Sequence, residues 1–181
     1  MSELPGSNLE VLLDAEQIAR RVRELAAQIS TDYRGRPLRL VGILKGAWVF
    51  LADLARHLNL EVTVDFLSIA SYGDNSYSSG AVRITKDLDQ SIEGLDVLVV
   101  EDILDTGRTF HYLEGVLSAH QPNSLKLVTL LDKVSRRLIP VRADYVGFEI
   151  PDVFVVGYGL DYHQKYRQLR DVRFLPSVPS V

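Results

Sequence analysis

Short apolar runs alternate with segments of helical periodicity along most of the chain. The runs at 38–44 and 97–100 are almost entirely apolar, which is typical of strands buried on both faces of a sheet. Apolar residues recur every three or four positions over 18–29, 48–58 and 110–117, and this spacing predicts helices. Strands that alternate with helices predict an α/β domain with a mainly parallel sheet.

Further strands are expected at 61–70, 81–86, 124–131, 144–150, 153–158 and 172–175. Two of these flank the segment 71–80, which is rich in Gly, Ser, Asn and Asp and predicts a hairpin with a long flexible tip. The first helix has a clear start, because Asp14 suits the N-cap position and Gln17 completes a capping box.

The two ends of the chain have compositions typical of poorly ordered segments. Residues 1–12 include Pro, Gly, Ser and Asn and are expected to form a loose arm, and 176–181 are expected to form a disordered tail. No linker and no internal repeat divides the sequence, so 1–181 is expected to form a single domain of ordinary size.

The candidate chemistry is concentrated in the stretch 95–110. An apolar strand leads into the adjacent acids Glu101 and Asp102, and 105–109 then form a polar glycine turn before a helix. Such a turn directs backbone N–H groups and Thr hydroxyls to one point at the positive end of the helix dipole, which suits a phosphate. The two acids suit either a divalent metal or a pair of sugar hydroxyls.

This stretch resembles the signature with which the phosphoribosyltransferase family binds 5-phosphoribosyl-1-diphosphate. The signature is an apolar strand, two adjacent acids and then D-T/S-G-x-T. The resemblance implies that the 5-phosphate is bound by the turn residues Asp105, Thr106, Gly107, Arg108 and Thr109. It implies that Glu101 and Asp102 hold the ribose hydroxyls, partly through Mg²⁺, and that Asp105 is the catalytic residue that handles a proton at purine N7. One departure is Arg108, where some relatives carry lysine.

The resemblance covers the chain from the first helix to about Phe174. It implies the type I phosphoribosyltransferase fold, a mainly parallel twisted sheet flanked by helices, with a small hood formed by N- and C-terminal segments. Ligands bind such sheets at the carboxyl ends of the strands, and Lys45, Glu101, Asp102 and Lys133 all fall at predicted strand ends.

Three further parts of the chain resemble features of the family, and the first of them is typical of its 6-oxopurine branch. Lys45 and Gly46 stand where that branch has its diphosphate loop, and family structures can hold the bond before the lysine, here Leu44–Lys45, as a non-proline cis peptide. Arg167 stands where the family has a diphosphate-contacting arginine. The segment 71–80 matches a mobile lid that excludes water from the reaction, with Ser71 and Tyr72 as the Ser-Tyr pair near its start.

The purine site is implied by Lys133 and the segment 154–161, which reads FVVGYGLD. Lys133 would donate to the exocyclic oxygen at purine position 6, because lysine has donors and no acceptor. Phe154 would stack on the base, while the backbone of Val155 and Asp161 meets its edge. The Asp161 side chain would join Glu101 and Asp102 in holding Mg²⁺. Gly157 and Gly159 do not make a dinucleotide fingerprint, because the third glycine and the following helix are missing.

Composition limits the possible partners. The net charge of −4 argues against a general nucleic-acid binder. There is no cysteine, no secretory signal and no stretch near the ~20 apolar residues of a membrane span. We therefore expect a cytoplasmic protein with small-molecule substrates, no nucleic-acid partner and no membrane association. The resemblance adds the expectation of a homodimer or homotetramer.

The activity implied is purine salvage, in which the 5-phosphoribosyl group passes to N9 of hypoxanthine or guanine and IMP or GMP forms with diphosphate. A preference for xanthine or adenine is the alternative within this enzyme class. A second class remains, since some family members bind the sugar diphosphate or nucleotides only as signals and regulate transcription or bind RNA. Such a regulator should carry an added DNA-binding domain or a basic face, and this sequence shows neither.

Overall fold

The structure is a computed structural model that describes residues 9–71 and 82–174. The strands are β1 (Glu10–Leu13), β2 (Leu38–Leu44), β3 (Val62–Ser71), β4 (Val82–Lys86), β5 (Asp96–Leu104), β6 (Ser124–Asp132), β7 (Tyr145–Glu149), β8 (Val155–Val156) and β9 (Val172–Phe174). The helices are α1 (Ala15–Asp32), α2 (Trp48–His57) and α3 (Arg108–Ala119), and a short 3-10 helix spans Val134–Arg136.

Six strands form the central sheet in the order β4-β3-β2-β5-β6-β7. Every neighbouring pair is parallel except β3 and β4, which form the expected antiparallel hairpin. β5 lies between β2 and β6, so the carboxyl ends of these three strands lie side by side. The mainly parallel sheet flanked by helices confirms the predicted fold class.

Two hydrophobic cores cover the two faces of this sheet. Leu98 and Val100 of β5 belong to the core that also contains the apolar stripes of α1 and α2. Val97 and Val99 belong to the core that contains the buried residues of α3. Successive side chains of a strand point to opposite faces, and this explains why β5 is apolar without interruption from Val97 to Val100.

The start of α1 has the predicted capping box. The Asp14 carboxylate accepts hydrogen bonds from the backbone N–H groups of Glu16 at 2.9 Å and Gln17 at 2.8 Å. The Gln17 side chain accepts in turn from the Asp14 N–H at 2.9 Å. Two of the orphan donors of the helix are thereby satisfied, as the sequence pattern predicted.

A second, three-stranded antiparallel sheet has the order β1-β9-β8, and it forms the predicted hood from N- and C-terminal segments. Glu10 pairs with Phe174, and Val11 pairs with Arg173. The expectation of a loose arm was therefore wrong for residues 9–12, because β1 gains backbone hydrogen bonds from a strand about 160 residues away. Residues 1–8 and the predicted tail 176–181 lie outside the described residues.

Other boundaries differ from the predicted ones by small amounts. β5 continues through the acidic pair to Leu104, because Glu101 and Ile103 pair with Thr129 and Leu131 of β6. β8 is much shorter than the predicted 153–158, since Gly157 has a φ of +96° that ends the extended backbone. The hairpin tip 72–81 lies outside the described residues. Within the described ranges no helix is long and apolar enough to cross a membrane.

Candidate active site

A cavity of about 310 Å³ opens where the segments that follow β2, β5 and β6 meet the hood. Its lining comprises Lys45, Gly46, Asp102, Ile103, Asp105, Lys133, Phe154, Val155, Leu160, Asp161 and Arg167. The structure thus brings together predicted residues from all the segments that the sequence singled out in the described part of the chain. The lining does not include Glu101 or the turn residues Thr106, Gly107, Arg108 and Thr109.

The backbone at Gly46 is packed tightly against two other parts of the site. A Cβ atom on Gly46 would lie 1.5 Å from Asp102 Oδ2, and one on Gly159 would lie 2.1 Å from the Gly46 carbonyl oxygen. Such distances exclude any side chain at either position without movement of its neighbour. The Leu44–Lys45 peptide bond that precedes Gly46 is cis.

The adjacent acids at the end of β5 are partly buried, and the pKa values of both are raised. Burial raises the pKa of Asp102 to about 6, against the opposing effects of the Ile103 N–H and the Arg167 charge. Burial and the neighbouring Asp102 charge raise the pKa of Glu101 well above its usual value. Glu101 Oε2 is buried without a hydrogen-bond partner among the described residues. A cation or a hydroxyl donor at this position would relieve that cost.

The turn 105–109 is fixed to the segment that follows the 3-10 helix. Gly107 is the N-cap of α3 with a φ of +84°, and a Cβ atom there would lie 2.9 Å from the Ile139 carbonyl oxygen. The Thr106 carbonyl accepts hydrogen bonds from the N–H groups of Leu138 at 3.0 Å and Ile139 at 3.1 Å. The N–H groups of the first turn of α3 have no acceptor in the helix itself, so this end of the helix suits an anion.

Asp105 is held by two arginines that the sequence reasoning missed. Arg136 Nε donates to Asp105 Oδ1 at 3.2 Å, and Arg137 Nη1 donates to the Asp105 carbonyl oxygen at 2.5 Å. Arg137 also forms an ion pair with Asp132. The only signal in the sequence was the Arg-Arg pair shortly after Lys133, which has no spacing motif of its own.

Lys133 is buried, with 4% of its surface exposed, although it follows a strand end where a solvated lysine would be ordinary. Its backbone N–H donates to the Leu104 carbonyl oxygen at 3.0 Å, which links the ends of β5 and β6. Lys133 Nζ lies 3.8 Å from Asp152 Oδ1, and Asp152 Oδ2 lies 3.7 Å from Arg136 Nη1. Asp152 was not identified from the sequence either.

On the hood side of the cavity, Arg167 links several predicted residues. Its guanidinium forms an ion pair with Asp161 at 2.8 Å and donates to the Gly159 carbonyl oxygen at 2.7 Å. Gln164, which the sequence did not indicate, accepts from Arg167 at 3.1 Å and from Lys45 Nζ at 3.5 Å. The cationic side chains of the two predicted diphosphate segments therefore meet at one amide oxygen.

The ring of Phe154 is supported from its side. It makes an edge contact with Tyr162, with ring centroids 5.6 Å apart and an interplanar angle of 83°. Such contacts help to fix the orientation of a ring, and Phe154 lines the cavity.

The carboxylates fit a magnesium ion that takes part of its coordination from a ligand. The described residues contain no group of three or more His, Cys, Asp or Glu that could hold a metal on their own. Asp102 and Asp161 nevertheless line the same cavity, and the Asp161 charge contributes to the raised pKa of Asp102. Mg²⁺ typically takes one or two carboxylates together with water and substrate phosphates, so this donor set suits it.

Comparisons with known proteins agree with this geometry. A family model described as the phosphoribosyl transferase domain matches residues 8–163. The hypoxanthine-guanine phosphoribosyltransferase of Bacillus subtilis is 48% identical over 160 residues, which are 88% of this chain and 89% of the relative. The enzyme of the same name from Staphylococcus aureus is 49% identical over 160 residues, with the same coverage. A crystal structure of a hypoxanthine phosphoribosyltransferase from Staphylococcus aureus superposes with a TM-score of 0.90 at 46% identity, and it covers 97% of this chain and 96% of that one.

Proposed function

The chain belongs to the phosphoribosyl transferase family, and from this premise we propose that it transfers the 5-phosphoribosyl group of 5-phosphoribosyl-1-diphosphate to N9 of hypoxanthine or guanine. The products are IMP or GMP and diphosphate, so the enzyme is a pentosyltransferase of purine salvage. The observation that carries the proposal is the single cavity, in which Lys133 and Phe154 lie together with Asp105 and Asp161.

Purine selection rests on Lys133. Its ammonium group offers three donors and no acceptor, so it matches the oxygen of a 6-oxopurine and not the amino group of adenine. Because Lys133 is buried, its charged donor would be left without an acceptor if adenine bound instead of a 6-oxopurine. Phe154 stacks on the base, and the backbone of Val155 and Asp161 contacts its edge. This arrangement favours hypoxanthine, guanine or xanthine over adenine.

The sugar phosphate occupies the space between the turn 105–109 and the acidic pair. Thr106, Gly107, Arg108 and Thr109 bind the 5-phosphate with backbone N–H groups, hydroxyls and the dipole of α3. Glu101 and Asp102 accept hydrogen bonds from the ribose hydroxyls. The buried Glu101 Oε2, which has no protein partner in the described residues, supports this role.

Lys45, Gly46 and Arg167 bind the diphosphate. Glu101, Asp102 and Asp161 would hold Mg²⁺, which would supply positive charge next to the departing diphosphate. Arg167 keeps Asp161 in place through their ion pair of 2.8 Å. Lys45 reaches the same region through Gln164, so the two cations are oriented before the substrate binds.

The transition state resembles a ribosyl oxocarbenium ion, with positive charge on the sugar and negative charge on the diphosphate. Asp105 accepts the proton at purine N7 as N9 forms its bond to the sugar. Arg136 orients the Asp105 carboxylate through the contact of 3.2 Å. Asp105 lines the cavity and follows the end of β5 directly.

Several remaining features belong to the same proposal. The proposed lid is the segment 71–80, with Ser71 and Tyr72 near its start, and 72–80 lie outside the described residues. The whole of 1–181 forms one domain, and the enzyme works in the cytoplasm as a homodimer or homotetramer. Its partners are small molecules, without nucleic acid or membrane.

The test is a steady-state assay of the purified protein with 5-phosphoribosyl-1-diphosphate and Mg²⁺ against hypoxanthine, guanine, xanthine and adenine. We expect nucleotide formation with hypoxanthine or guanine and little or none with adenine. Adenine as the preferred base would contradict the role of Lys133. Binding of the sugar diphosphate without turnover of any purine would point to a ligand-sensing protein instead.

A further inference from the structure

Four side chains of alternating charge form a continuous row beside the cavity. Lys133 Nζ lies 3.8 Å from Asp152 Oδ1, Asp152 Oδ2 lies 3.7 Å from Arg136 Nη1, and Arg136 Nε lies 3.2 Å from Asp105 Oδ1. The two end members, Lys133 and Asp105, line the cavity, whereas the two middle members do not. The residue proposed to recognise the base is thus connected by three successive ion pairs to the residue proposed to take its proton.

The backbone on both sides of Asp152 is fixed. The Ile150 N–H donates to the Asp132 carbonyl oxygen at 2.9 Å, immediately before Lys133 in the chain. The Val153 N–H donates to the Pro151 carbonyl oxygen at 2.9 Å and closes a tight turn around Asp152. The Asp152 carboxylate is therefore held against the 3-10 segment by main-chain bonds and by its two cations.

Asp152 supplies the negative charge beside the buried Lys133 ammonium group. The Lys133 side chain is 5% exposed, and an ammonium group at that depth requires a counter-charge. The described residues give Lys133 no second ion pair. Asp152, at 39% side-chain exposure, remains in contact with water and carries less desolvation cost of its own. It can therefore fix the direction of the lysine without ceasing to be a charged carboxylate.

The same carboxylate limits where Arg136 can lie. Arg136 contacts Asp152 with Nη1 and Asp105 with Nε, so its planar guanidinium is held at two edges by two carboxylates. A guanidinium held in this way has little rotational freedom, and its position determines that of the Asp105 carboxylate.

We propose that Asp152 is a positioning residue that orients Lys133 toward the 6-oxygen of the purine and, through Arg136, orients Asp105 toward N7. One carboxylate outside the cavity then orients both groups that contact the purine. This inference rests on the proposed function, because it assigns a positioning role within the same purine site.

The first experiment compares Asp152→Asn with the wild-type enzyme in steady-state kinetics. We expect the KM for hypoxanthine to rise about tenfold, because one charged contact to Lys133 is lost. The KM for 5-phosphoribosyl-1-diphosphate should stay within about twofold of wild type, because the residues proposed to bind the diphosphate are not members of the row. Asp152→Glu, which keeps the charge, should recover a large part of the loss. Asp89→Asn, which removes a carboxylate from the surface ion pair with Lys86, is the matched control and should leave all constants unchanged.

The second experiment separates the effect of Asp152 on Lys133 from its effect, through Arg136, on Asp105. Arg136→Gln should lower kcat more than it raises the purine KM, because Arg136 acts on Asp105. In the variant that carries both Asp152→Asn and Arg136→Gln, the fold-loss in kcat/KM should be smaller than the product of the two single fold-losses, because both changes interrupt one network. Should Asp152→Asn unfold, as circular dichroism would show, the smaller Asp152→Ser must give the same rise in purine KM.

The outcomes distinguish this inference from the function on which it rests. A wild-type protein that makes no nucleotide overturns the proposed function, and this inference with it. An active wild-type enzyme whose folded Asp152→Asn variant keeps its purine KM overturns this inference alone. Independent losses in the double variant would likewise remove Asp152 from any role in orienting Asp105.

Discussion

Gly46 lies so close to Asp102 that a single methyl group cannot be accommodated between them. A Cβ atom there would be 1.5 Å from Asp102 Oδ2, so Gly46→Ala must displace the carboxylate or the diphosphate loop. We expect kcat/KM to fall about 100-fold, which is typical of a displacement near 1 Å at a catalytic centre. Steady-state kinetics of Gly46→Ala against both substrates would measure this.

A matched glycine provides the control for that variant. Gly115 lies in α3, and a Cβ atom there would meet nothing within 4 Å. Gly115→Ala should keep wild-type kinetics and gain about 0.5–1 kcal/mol in unfolding free energy, because alanine loses less backbone entropy in a helix. Equal activity of both alanine variants would contradict the assignment of Gly46 to the site.

Asp105→Asn removes the proposed base and keeps the shape of the side chain. Turnover should fall by about 10²–10⁴, the usual contribution of a general base. Binding of the sugar diphosphate, measured by calorimetry, should stay largely intact, because the other residues of the turn proposed to bind the 5-phosphate are unchanged. Wild-type turnover in this variant would exclude Asp105 from proton transfer.

Lys133→Ala should weaken the use of 6-oxopurines selectively. The kcat/KM for hypoxanthine is expected to fall by about 10–100-fold, because a charged hydrogen bond is worth about 1.5–3 kcal/mol. Lys126→Ala is the control and should leave purine kinetics unchanged, because Lys126 lies near the start of β6 whereas Lys133 follows its end. Unchanged purine constants in Lys133→Ala would refute the purine assignment.

The acidic pair predicts an unusual dependence of stability on pH in the ligand-free protein. The pKa of Asp102 rises from 3.8 in the unfolded chain to about 6 in the folded protein. Between these values the folded state holds a proton that the unfolded state has lost, so stability falls as the pH increases. Glu101, whose pKa is also raised, extends the fall to higher pH.

Urea unfolding across this range would measure the effect. Asp102→Asn resembles the protonated carboxyl and should lose less stability between pH 4 and pH 6 than the wild type does. Asp96 and Asp171 have lowered pKa values, so their contributions are lost only below this range and do not mask the difference. If the unfolding free energies of the two proteins changed in parallel with pH, the pKa of Asp102 would not be raised on folding.

Asp14→Ala tests the capping box of α1. Two N–H groups at the helix start lose their acceptor, and we expect a loss of about 1 kcal/mol in unfolding free energy. The melting temperature should fall by about 2–4 °C for a domain of this size. Arg20→Ala, on the exposed face of the same helix, is the control and should change little.

Local patterns were sufficient wherever the structure is determined by neighbours in sequence. Asp14 and Gln17 interact within one helical turn, and β2 has the bounds Leu38–Leu44 that its apolar run predicted. The site residues at strand ends converged because the carboxyl ends of parallel strands share one edge of a sheet. Their assignment to a purine and a sugar diphosphate required the resemblance to a family.

Contacts between distant segments were not predictable in this way. β1 has only four residues, half of them exposed, and its partner β9 follows about 160 residues later, so no periodicity indicated a strand. Asp152 and Arg136 have the sequence context of ordinary surface charges, and only the fold brings them to Lys133 and Asp105. The spacing of hydrophobic residues gives no information about charge pairs of this kind.

The pairing of β1 with β9 has a consequence for biosynthesis. β9 is also the strand that holds β8, and β8 begins one residue after Phe154. While the ribosome extends the chain, the central sheet can assemble as soon as β7 emerges, but the hood must wait for residue 174. A nascent chain would therefore hold the segments proposed to bind the sugar phosphate before the hood beside Phe154 exists, and a truncated product would be expected to lose purine binding first.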